Sequence, residues 1–381
     1  MIEKIIEEFR KKYQTNPDFV VRSPGRINLI GEHTDYNDGF VFPMAIEFSQ
    51  WLALKANNAK RVRLYSADIN KSTDFSVNTF NHDTREKGWA AYTQGIAWNL
   101  DRHGYQLNGF DGLLLGDLPI GAGLSSSAAL DMVTIKALSL VSDIPWDGKL
   151  MASLAKEADN QWVGINSGIM DQLISAMGEH GKALLIDCRS LDLEYDSLPE
   201  STIVVVMNTM AKHTLVSSGY NTRFHETREA AKFFGLSSLR DLSLKEFEAE
   251  SDQMDDILRR RTRHVLTENQ RTLEAAEKMR QNDPAALGSL MNESHYSLQH
   301  DYEVSCEELD IMVEESRKIE GCYGARMTGG GFGGSAIALV EKSSAEAFMN
   351  QIRAAYLEKT GIKSDVFASE PAQGTTVEYS D

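Results

Sequence analysis

The fold of this chain is constrained most by an apolar strand pattern that leads through a loop of small residues into a long helix pattern. Gly112-Leu113-Leu114-Leu115 predicts a strand, and apolar residues recur at helical spacing from Ser125 to about Val141. Between them lies the serine loop (residues 119–127, PIGAGLSSS). Small residues let the backbone approach a ligand, while the free N–H groups and the dipole of the following helix favour an anion. This segment therefore predicts a phosphate-binding site.

An ordinary glycine turn followed by serine helix caps could have the same sequence, and this alternative stays open. The three consecutive serines, Ser125, Ser126 and Ser127, are nevertheless more than one helix cap needs. The serine loop is not a Walker A motif, because no Gly-Lys-Ser or Gly-Lys-Thr follows at the required spacing.

A second loop of small residues is the glycine loop (residues 329–334, GGGFGG), which formally contains the G-x-G-x-x-G pattern of dinucleotide-binding proteins. That pattern requires a following helix, whereas residues 335–340 (SAIALV) predict a strand. Its many glycines indicate unusual backbone angles or a close approach to a ligand. A flexible turn is the alternative.

The polar loop (residues 25–37, GRINLIGEHTDYN) is dense in hydrogen-bonding side chains between apolar residues. Such donors and acceptors suit a ligand with many hydroxyl groups. His33 and Asp35 could instead bind a metal, although no partner cluster with a recognisable ligand spacing occurs elsewhere in the sequence. A purely structural loop is the other alternative. At its end Asn37-Asp38-Gly39 predicts a hairpin turn, and the apolar segments through residue 65 predict antiparallel sheet.

Length, charge and cysteine content narrow the class of protein. A chain of 381 residues is long enough for two domains, and a net charge of -17 argues against nucleic-acid binding. Arg259-Arg260-Arg261, followed by Thr262-Arg263-His264, is interpreted as a solvated helix face. No apolar segment approaches the roughly 20 residues of a membrane span, and the N-terminus lacks the features of a signal peptide. Three separated cysteines, Cys188, Cys306 and Cys322, favour reduced thiols and a cytoplasmic location.

In their order and separation, the three loops together resemble the three motifs of the GHMP kinases, named for galacto-, homoserine, mevalonate and phosphomevalonate kinases. Within that group Arg26 and Glu32-His33-Thr34-Asp35-Tyr36-Asn37 resemble the galactokinase signature, and Gly168-Ile169-Met170-Asp171-Gln172 resembles its catalytic segment. The similarity extends through residues 216–223 and 325–329 and covers the chain from about residue 18 to its end.

The resemblance implies an α+β fold of two domains with the active site in the cleft between them. The N-terminal GHMP domain would span residues 1–200 and contain a mixed sheet packed with helices, ribosomal S5 domain 2-like, with the polar and serine loops. The C-terminal domain would span residues 201–381 as an α+β sandwich with the glycine loop, and the boundary between the two is soft.

The resemblance also implies a reaction, in which the γ-phosphoryl group of ATP moves to the 1-hydroxyl of α-D-galactose to give galactose 1-phosphate and ADP. It implies Asp171 as the catalytic base and Arg26 as the stabilising cation. The implied sugar-binding residues are Glu32, His33, Thr34, Asp35 and Tyr220. The implied ATP-binding residues are Trp89, Gly121, Ala122, Gly123, Leu124, Ser125, Ser126 and Ser127. Mg²⁺ would be held by Ser127 and Asp159.

Two positions depart from the family pattern. Asp159 stands where the family usually has Glu, so the side chain is one methylene shorter, which bears on Mg²⁺ affinity. Ser335 replaces the Cys that is common after the glycine loop, a small change. Two other functions stay open: a kinase of the same family for a related sugar, and a non-catalytic sensor of galactose and ATP. We expect a monomer whose partners are galactose and ATP, without nucleic-acid or membrane partners.

Overall fold

Three β-sheets and the helices packed against them form the protein. The computed structural model describes residues 1–119, 122–211 and 216–381, with the backbone alone at 216–218. Within those ranges the strands are β1 (Phe19–Asn28), β2 (Phe40–Val41), β3 (Pro43–Asn57), β4 (Arg61–Ser66), β5 (Lys71–Ser76), β6 (Gly109–Gly116), β7 (Lys182–Asp187), β8 (Leu193–Ser197), β9 (Thr202–Asn208), β10 (Cys322–Thr328), β11 (Ser335–Glu341), β12 (Asp365–Ser369) and β13 (Thr376–Ser380). The helices are α1 (Ile2–Tyr13), α2 (Trp89–Arg102), α3 (Ser126–Val141), α4 (Gly148–Ala158), α5 (Met170–Met177), α6 (Val216–Phe233), α7 (Leu244–Glu250), α8 (Asp256–Arg280), α9 (Pro284–His300), α10 (Glu307–Ser316) and α11 (Ala345–Thr360).

The first sheet has the strand order β13-β1-β3-β6-β4-β5, and its central strands β1, β3 and β6 are largely buried on both faces. Its neighbouring strands are antiparallel except for β4 and β6, which are parallel. Side chains alternate between the faces of a strand, so Leu52 and Leu54 pack on the α2–α5 side while Trp51 and Ala53 pack with α1. The predicted helix after the serine loop is confirmed as α3, which lies on the first of these faces.

The second sheet has the order β10-β11-β9-β12 and is antiparallel throughout. Val205 and Met207 of β9 pack in a core with residues of α6, α8, α10 and α11. Val204 and Val206 point to the opposite face and join a cluster that also contains Phe42 and Met44 from the N-terminal half. Because both faces are covered, β9 is an unbroken apolar run in the sequence. The shared cluster packs the two halves directly against each other.

The predicted hairpin turn at residues 37–39 is wrong. Asp35–Asn37 forms a 3₁₀ turn, and the short strand after it pairs with Ile186 and Asp187 of β7, so the antiparallel partner of β1 begins only at Pro43, opposite Asn28. Asp38 has a left-handed backbone with φ 56°. A Cβ at Gly39 would overlap Asn269 of α8, so the turn brings the chain against a helix from the other half of the protein.

The C-terminal strand returns to the first sheet, where β13 pairs with β1 and Val377 lies opposite Val21. Residues 376–380 therefore belong spatially with the N-terminal sheet, although they follow residue 200 in the chain. The predicted division into residues 1–200 and 201–381 stays a prediction. Within the described ranges, no helix combines the length and apolar character of a transmembrane span.

The interpretation of the run at 259–264 as a solvated helix face is wrong for three of its residues, because Arg261, Thr262 and His264 are all buried. Arg261 has a side chain only 3% exposed, which bridges Glu226 and Glu303. His264 is fully buried. The reason is that α8 packs between α6 and α9, which cover this side of the helix.

Candidate functional site

A cavity of about 630 Å³ opens where the polar, serine and glycine loops meet. Most of the residues named from the sequence lie on its wall, and these are Arg26, Glu32, His33, Asp35, Gly123, Leu124, Ser125, Ser126, Ser127, Asp159, Asp171 and Tyr220. Gly329 and Gly330 of the glycine loop also line the cavity. Residues up to 304 positions apart in the chain (330 − 26) therefore share one site.

Three of the named residues lie elsewhere, and one is outside the described part of the chain. The Thr34 hydroxyl donates to the backbone carbonyls of Gly31 and Phe40, at 2.8 and 2.6 Å, and is not on the cavity wall. Trp89 packs at the edge of the N-terminal core. Ala122 belongs to the serine loop but is buried in the cluster that the two halves share. Gly121 lies outside the described residues.

The centre of the cavity is a bidentate ion pair between Arg26 of β1 and Asp171 in the first turn of α5. Arg26 Nε and Nη2 donate to the two carboxylate oxygens at 2.8 and 2.9 Å. The arginine side chain is 7% exposed and the aspartate 29%, so the carboxylate is the partner that faces the cavity. This fork geometry fixes the direction of the carboxylate as well as its charge partner.

The serine loop is attached to the same ion pair. Arg26 Nη1 donates to the carbonyl of Gly123 at 2.7 Å, and the hydroxyl of Ser125 donates to Asp171 Oδ2. Ser125 has a left-handed backbone with φ 59°, which is unusual for a serine and marks the sharp entry into α3. The Ser335 hydroxyl donates to the carbonyl of Ala122 at 2.7 Å, which connects the end of the glycine loop to the serine loop.

The polar loop contributes Glu32 and His33, which are both buried. Glu32 Oε1 accepts from the N–H of Gly329 at 2.8 Å and from the Thr328 hydroxyl at 3.2 Å, and burial raises the pKa of this carboxyl. His33 Nδ1 lies 2.8 Å from the Tyr36 hydroxyl. Burial, reinforced by nearby positive groups, lowers the pKa of His33 to about 3, so the ring is neutral near pH 7.

Asp35 presents a third carboxyl to the cavity. Burial and then the negative charge of Asp171 raise its pKa to about 7. The side chain lies directly over Gly168, where any Cβ would overlap the carboxylate. The glycine in the segment before Asp171 is therefore required by the position of Asp35.

Asp159 stands in a π-helical turn after α4, next to another buried carboxyl on α3, Asp131. Gln172 Nε2 donates to Asp159 Oδ2 at 2.9 Å, while Asp159 Oδ1 has no hydrogen-bond partner among the described residues. Burial raises the pKa of both groups, and that of Asp159 is about 7. Two adjacent carboxyls with an unsatisfied oxygen favour a cation or a shared proton.

Several residues that shape this site were not predicted from the sequence. Asp131 follows Ser127 by one helical turn and is the one charged residue in the apolar stretch 128–135, a signal that was visible. His264 and Glu268 of α8 hydrogen-bond the polar loop from the other half of the protein. The sequence around His264 and Glu268 has the pattern of an ordinary polar helix. Only the tertiary structure shows that this face of α8 is buried.

Family models and solved structures match the chain over most of its length. The galactokinase galactose-binding signature matches residues 7–56, the GHMP kinases N terminal domain residues 91–179 and the GHMP kinases C terminal model residues 275–358. The crystal structure of Lactococcus lactis galactokinase complexed with galactose is 35% identical, with a TM-score of 0.93 over 98% of this chain and 99% of that one.

More distant structures share the fold. Mevalonate kinase from Methanococcus jannaschii is 18% identical, with a TM-score of 0.65 over 93% of this chain and 99% of that chain. Homoserine kinase from Cytophaga hutchinsonii is 16% identical, with a TM-score of 0.62 over 96% and 99% of the two chains.

Proposed function

Because the chain belongs to the galactokinase family of the GHMP kinases, we propose that it transfers the γ-phosphoryl group of ATP to the 1-hydroxyl of α-D-galactose, giving galactose 1-phosphate and ADP. The observation that carries this proposal is the Arg26–Asp171 ion pair, which lies where the polar loop and the serine loop meet. A sugar on the first loop and a triphosphate on the second would then have their reacting groups beside one carboxylate.

Asp171 is the proposed base. Phosphoryl transfer requires mainly an aligned nucleophile, neutralised charge and a proton acceptor. The 1-hydroxyl of a sugar belongs to a hemiacetal and is more acidic than an ordinary alcohol, so a carboxylate can accept its proton during attack. Arg26 holds both oxygens of Asp171 and brings a permanent positive charge to the place where charge develops on the transferred group.

The polar loop supplies the proposed sugar contacts. Glu32, His33 and Asp35 lie on the cavity wall, and Tyr220 faces them from α6. Two carboxyl groups, a neutral imidazole and a phenol provide both acceptors and donors, which sugar hydroxyls require at the same time. Thr34 acts through the shape of the loop in this proposal, since its hydroxyl is used by two backbone carbonyls.

The serine loop supplies the proposed triphosphate contacts. Its described residues, Ala122 to Ser127, lead into the first turn of α3, where N–H groups without helical partners favour an anion. Trp89, off the cavity wall, keeps its assignment near adenine as a prediction from the family resemblance alone, and so does Gly121 on the triphosphate.

The side chains present fit a Mg²⁺ ion held by Ser127 and Asp159. Both lie on the cavity wall, both offer the hard oxygen ligands that this ion prefers, and Asp159 Oδ1 has no partner among the described residues. When bound, Mg²⁺ neutralises charge on the phosphate oxygens. Ser127 and Asp159 would hold this ion, and its positive charge would offset the repulsion between the triphosphate and a protein with a net charge of -17.

We also place the reaction in the cytoplasm, because the three cysteines are free thiols. A monomer remains our expectation for the assembly state.

The test is ADP formation by the purified protein with ATP, Mg²⁺ and a panel of galactose, glucose, N-acetylgalactosamine and arabinose. We expect the highest kcat/KM with galactose and little ADP without sugar or after chelation of the metal. A higher kcat/KM for another sugar would replace galactose as the substrate. Saturable galactose binding without ADP would instead support the non-catalytic sensor.

A further inference from the structure

One face of α8 consists of polar side chains that are wholly buried. His264, Glu268 and Thr272 follow one another at intervals of four residues, so they form a single stripe along the helix. Each is 0% exposed. A buried charge or imidazole is unfavourable unless other groups hydrogen-bond to it. The partners of this stripe include the polar loop, which belongs to the other half of the chain.

Glu268 accepts hydrogen bonds from the polar loop with one carboxylate oxygen. Its Oε1 accepts from the N–H groups of Gly31 and Glu32, at 3.0 and 3.4 Å, and from the Ser294 hydroxyl at 2.6 Å. Its Oε2 accepts from Arg271 Nε at 2.8 Å. Burial opposes ionisation, but Arg271 and other positive neighbours outweigh it and lower the pKa of Glu268 to about 2. The group is therefore a carboxylate at neutral pH.

His264 contacts the backbone carbonyl of Glu32, whose N–H is bonded to Glu268. Its Nε2 lies 3.1 Å from the carbonyl oxygen of Glu32, and its Nδ1 lies 3.0 Å from the Ser297 hydroxyl. Burial lowers the pKa of His264 to about 4, so the ring carries one proton near pH 7. A carbonyl only accepts, which assigns that proton to Nε2. His264 and Glu268 thus hold the C=O and the N–H of one loop residue.

Two residues of the polar loop, Gly31 and His33, have left-handed backbone conformations that need to be held by their surroundings. Gly31 has φ 98°, and His33 has φ 63°, a conformation that is unfavourable for a residue with a side chain. Such conformations persist where the surroundings over-determine them. The peptide groups between these residues are those that α8 holds, and the Glu32 side chain is held separately by Gly329.

We propose that His264 and Glu268 are positioning residues for the sugar. By fixing the backbone of Glu32, they preset the two cavity side chains Glu32 and His33 before the ligand arrives. Neither helix residue is part of the cavity wall. The proposal rests on the proposed function for the identity of the ligand, but the preset loop is a property of the unliganded protein.

The first test is a comparison of KM values in Glu268→Gln, Glu268→Ala and His264→Phe. Losing a hydrogen bond to a charged or buried group should raise the galactose KM about 10-fold or more, with the ATP KM within about twofold. Glu268→Gln keeps a carbonyl acceptor and should recover part of the loss in Glu268→Ala. The matched control is Thr272→Val, because the Thr272 hydroxyl bonds to the carbonyl of Glu268 in its own helix and not to the loop.

Equal increases in both KM values, or an increase in Thr272→Val as large as in Glu268→Gln, would overturn the positioning role. If the Glu268 variants do not fold, His264→Phe decides the matter, because it keeps the Glu268–Arg271 pair and, of the contacts with the polar loop, removes only the one to the Glu32 carbonyl. The His264–Ser297 contact that it also removes lies outside the polar loop.

The second test is hydrogen exchange of the Gly31 and Glu32 amides without any substrate. We expect slow exchange in the wild-type protein and an exchange at least about 10-fold faster in Glu268→Ala at unchanged global stability. Unchanged exchange would contradict the proposal even in an active galactokinase. Faster exchange in a protein that forms no ADP with galactose would retain the preset loop and reject the proposed function, so the two failures are distinguishable.

Discussion

The polar loop and the serine loop face the same cavity but differ in the backbone groups that anchor them. The polar loop is anchored through N–H groups, such as those of Gly31 and Glu32, and also through carbonyls, such as those of Glu32, Tyr36 and Asn37. The described part of the serine loop is anchored through the carbonyls of Ala122, Gly123 and Leu124. Apart from that of Ala122, which donates to the Pro119 carbonyl, the described N–H groups of this loop are left to meet an anion, whereas the polar loop would meet its ligand with side chains.

This difference separates the two halves of the proposed reaction. A site built from side chains depends on the identity of single residues and discriminates among sugar hydroxyls. A site built from backbone N–H groups depends on loop shape and recognises phosphate in general. Arg26 and Asp171 join the two, since Arg26 holds Gly123 as well as the carboxylate. Substitutions in the polar loop should therefore affect sugar binding selectively, while those at the ion pair should affect the chemical step.

The largest effect is expected for Asp171→Asn, which keeps the shape of the side chain and removes the base. The turnover number should fall about 100-fold or more, because a positioned base contributes on that scale. Calorimetry should still detect galactose binding, since the polar loop is intact. Near-normal turnover would remove Asp171 from the role of base.

Asp35→Ala should show most clearly whether the polar loop and the serine loop bind different substrates. Removing a carboxyl on the cavity wall that is proposed to contact the sugar should raise the galactose KM about 10-fold to 100-fold, with a much smaller change in the ATP KM. Asp38→Asn is the matched control, because Asp38 lies just beyond the same loop, off the cavity wall, and Asn tolerates its left-handed backbone. Equal effects on both substrates would indicate a structural loop.

The pH dependence of sugar binding should follow Asp35. Its pKa is raised from 3.8 to about 7, so the carboxyl is mostly protonated at pH 6 and mostly ionised at pH 8. An ionised carboxylate is the better acceptor, and the galactose Kd should fall about 10-fold across this range, in proportion to the ionised fraction. Calorimetry on the wild-type protein and on Asp35→Asn checks this, and an equal slope in both would assign the dependence to another group.

The raised pKa of Asp35 also makes the free energy of unfolding depend on pH. Because the folded-state pKa lies above 3.8, the folded protein binds the proton more tightly than the unfolded chain. The contribution of Asp35 to the free energy of unfolding is therefore largest below that value and decreases as the pH rises toward 7.

The smallest effect on activity is expected for Thr34→Val. The Thr34 hydroxyl bonds to the backbone carbonyls of Gly31, within the polar loop, and of Phe40, just beyond it, and lies off the cavity wall. Thermal unfolding should show a loss of about 1–2 kcal/mol, and the galactose KM should change less than about threefold. A large increase in KM at unchanged stability would return Thr34 to the sugar contacts that the family resemblance implies.

The sequence predicted the elements whose signal is local. α3 follows from apolar spacing, and the serine loop from its small residues. The family resemblance added Arg26 and Asp171, two residues 145 positions apart that no local pattern connects. Their bidentate contact requires β1 and α5 to pack together, which is a property of the tertiary structure.

The features that the sequence did not predict depend on burial. Arg261 and His264 have the pattern of a solvated helix, and only the packing of α8 places them inside. The turn at residues 37–39 has the residues of a tight hairpin, but the antiparallel partner of β1 begins only at Pro43, and the turn itself packs against Asn269 of α8. The return of β13 to the first sheet is a pairing between the two ends of the chain, for which no local signal exists.

The most direct test of the central claim is identification of the product by phosphorus and proton magnetic resonance after incubation with ATP, Mg²⁺ and galactose. The proposed phosphoryl transfer predicts a phosphate bonded to the anomeric oxygen of galactose, seen as coupling between phosphorus and the proton on C1. ADP should form in an amount equal to this product. A phosphate on another hydroxyl, or ADP accompanied only by inorganic phosphate, would contradict it.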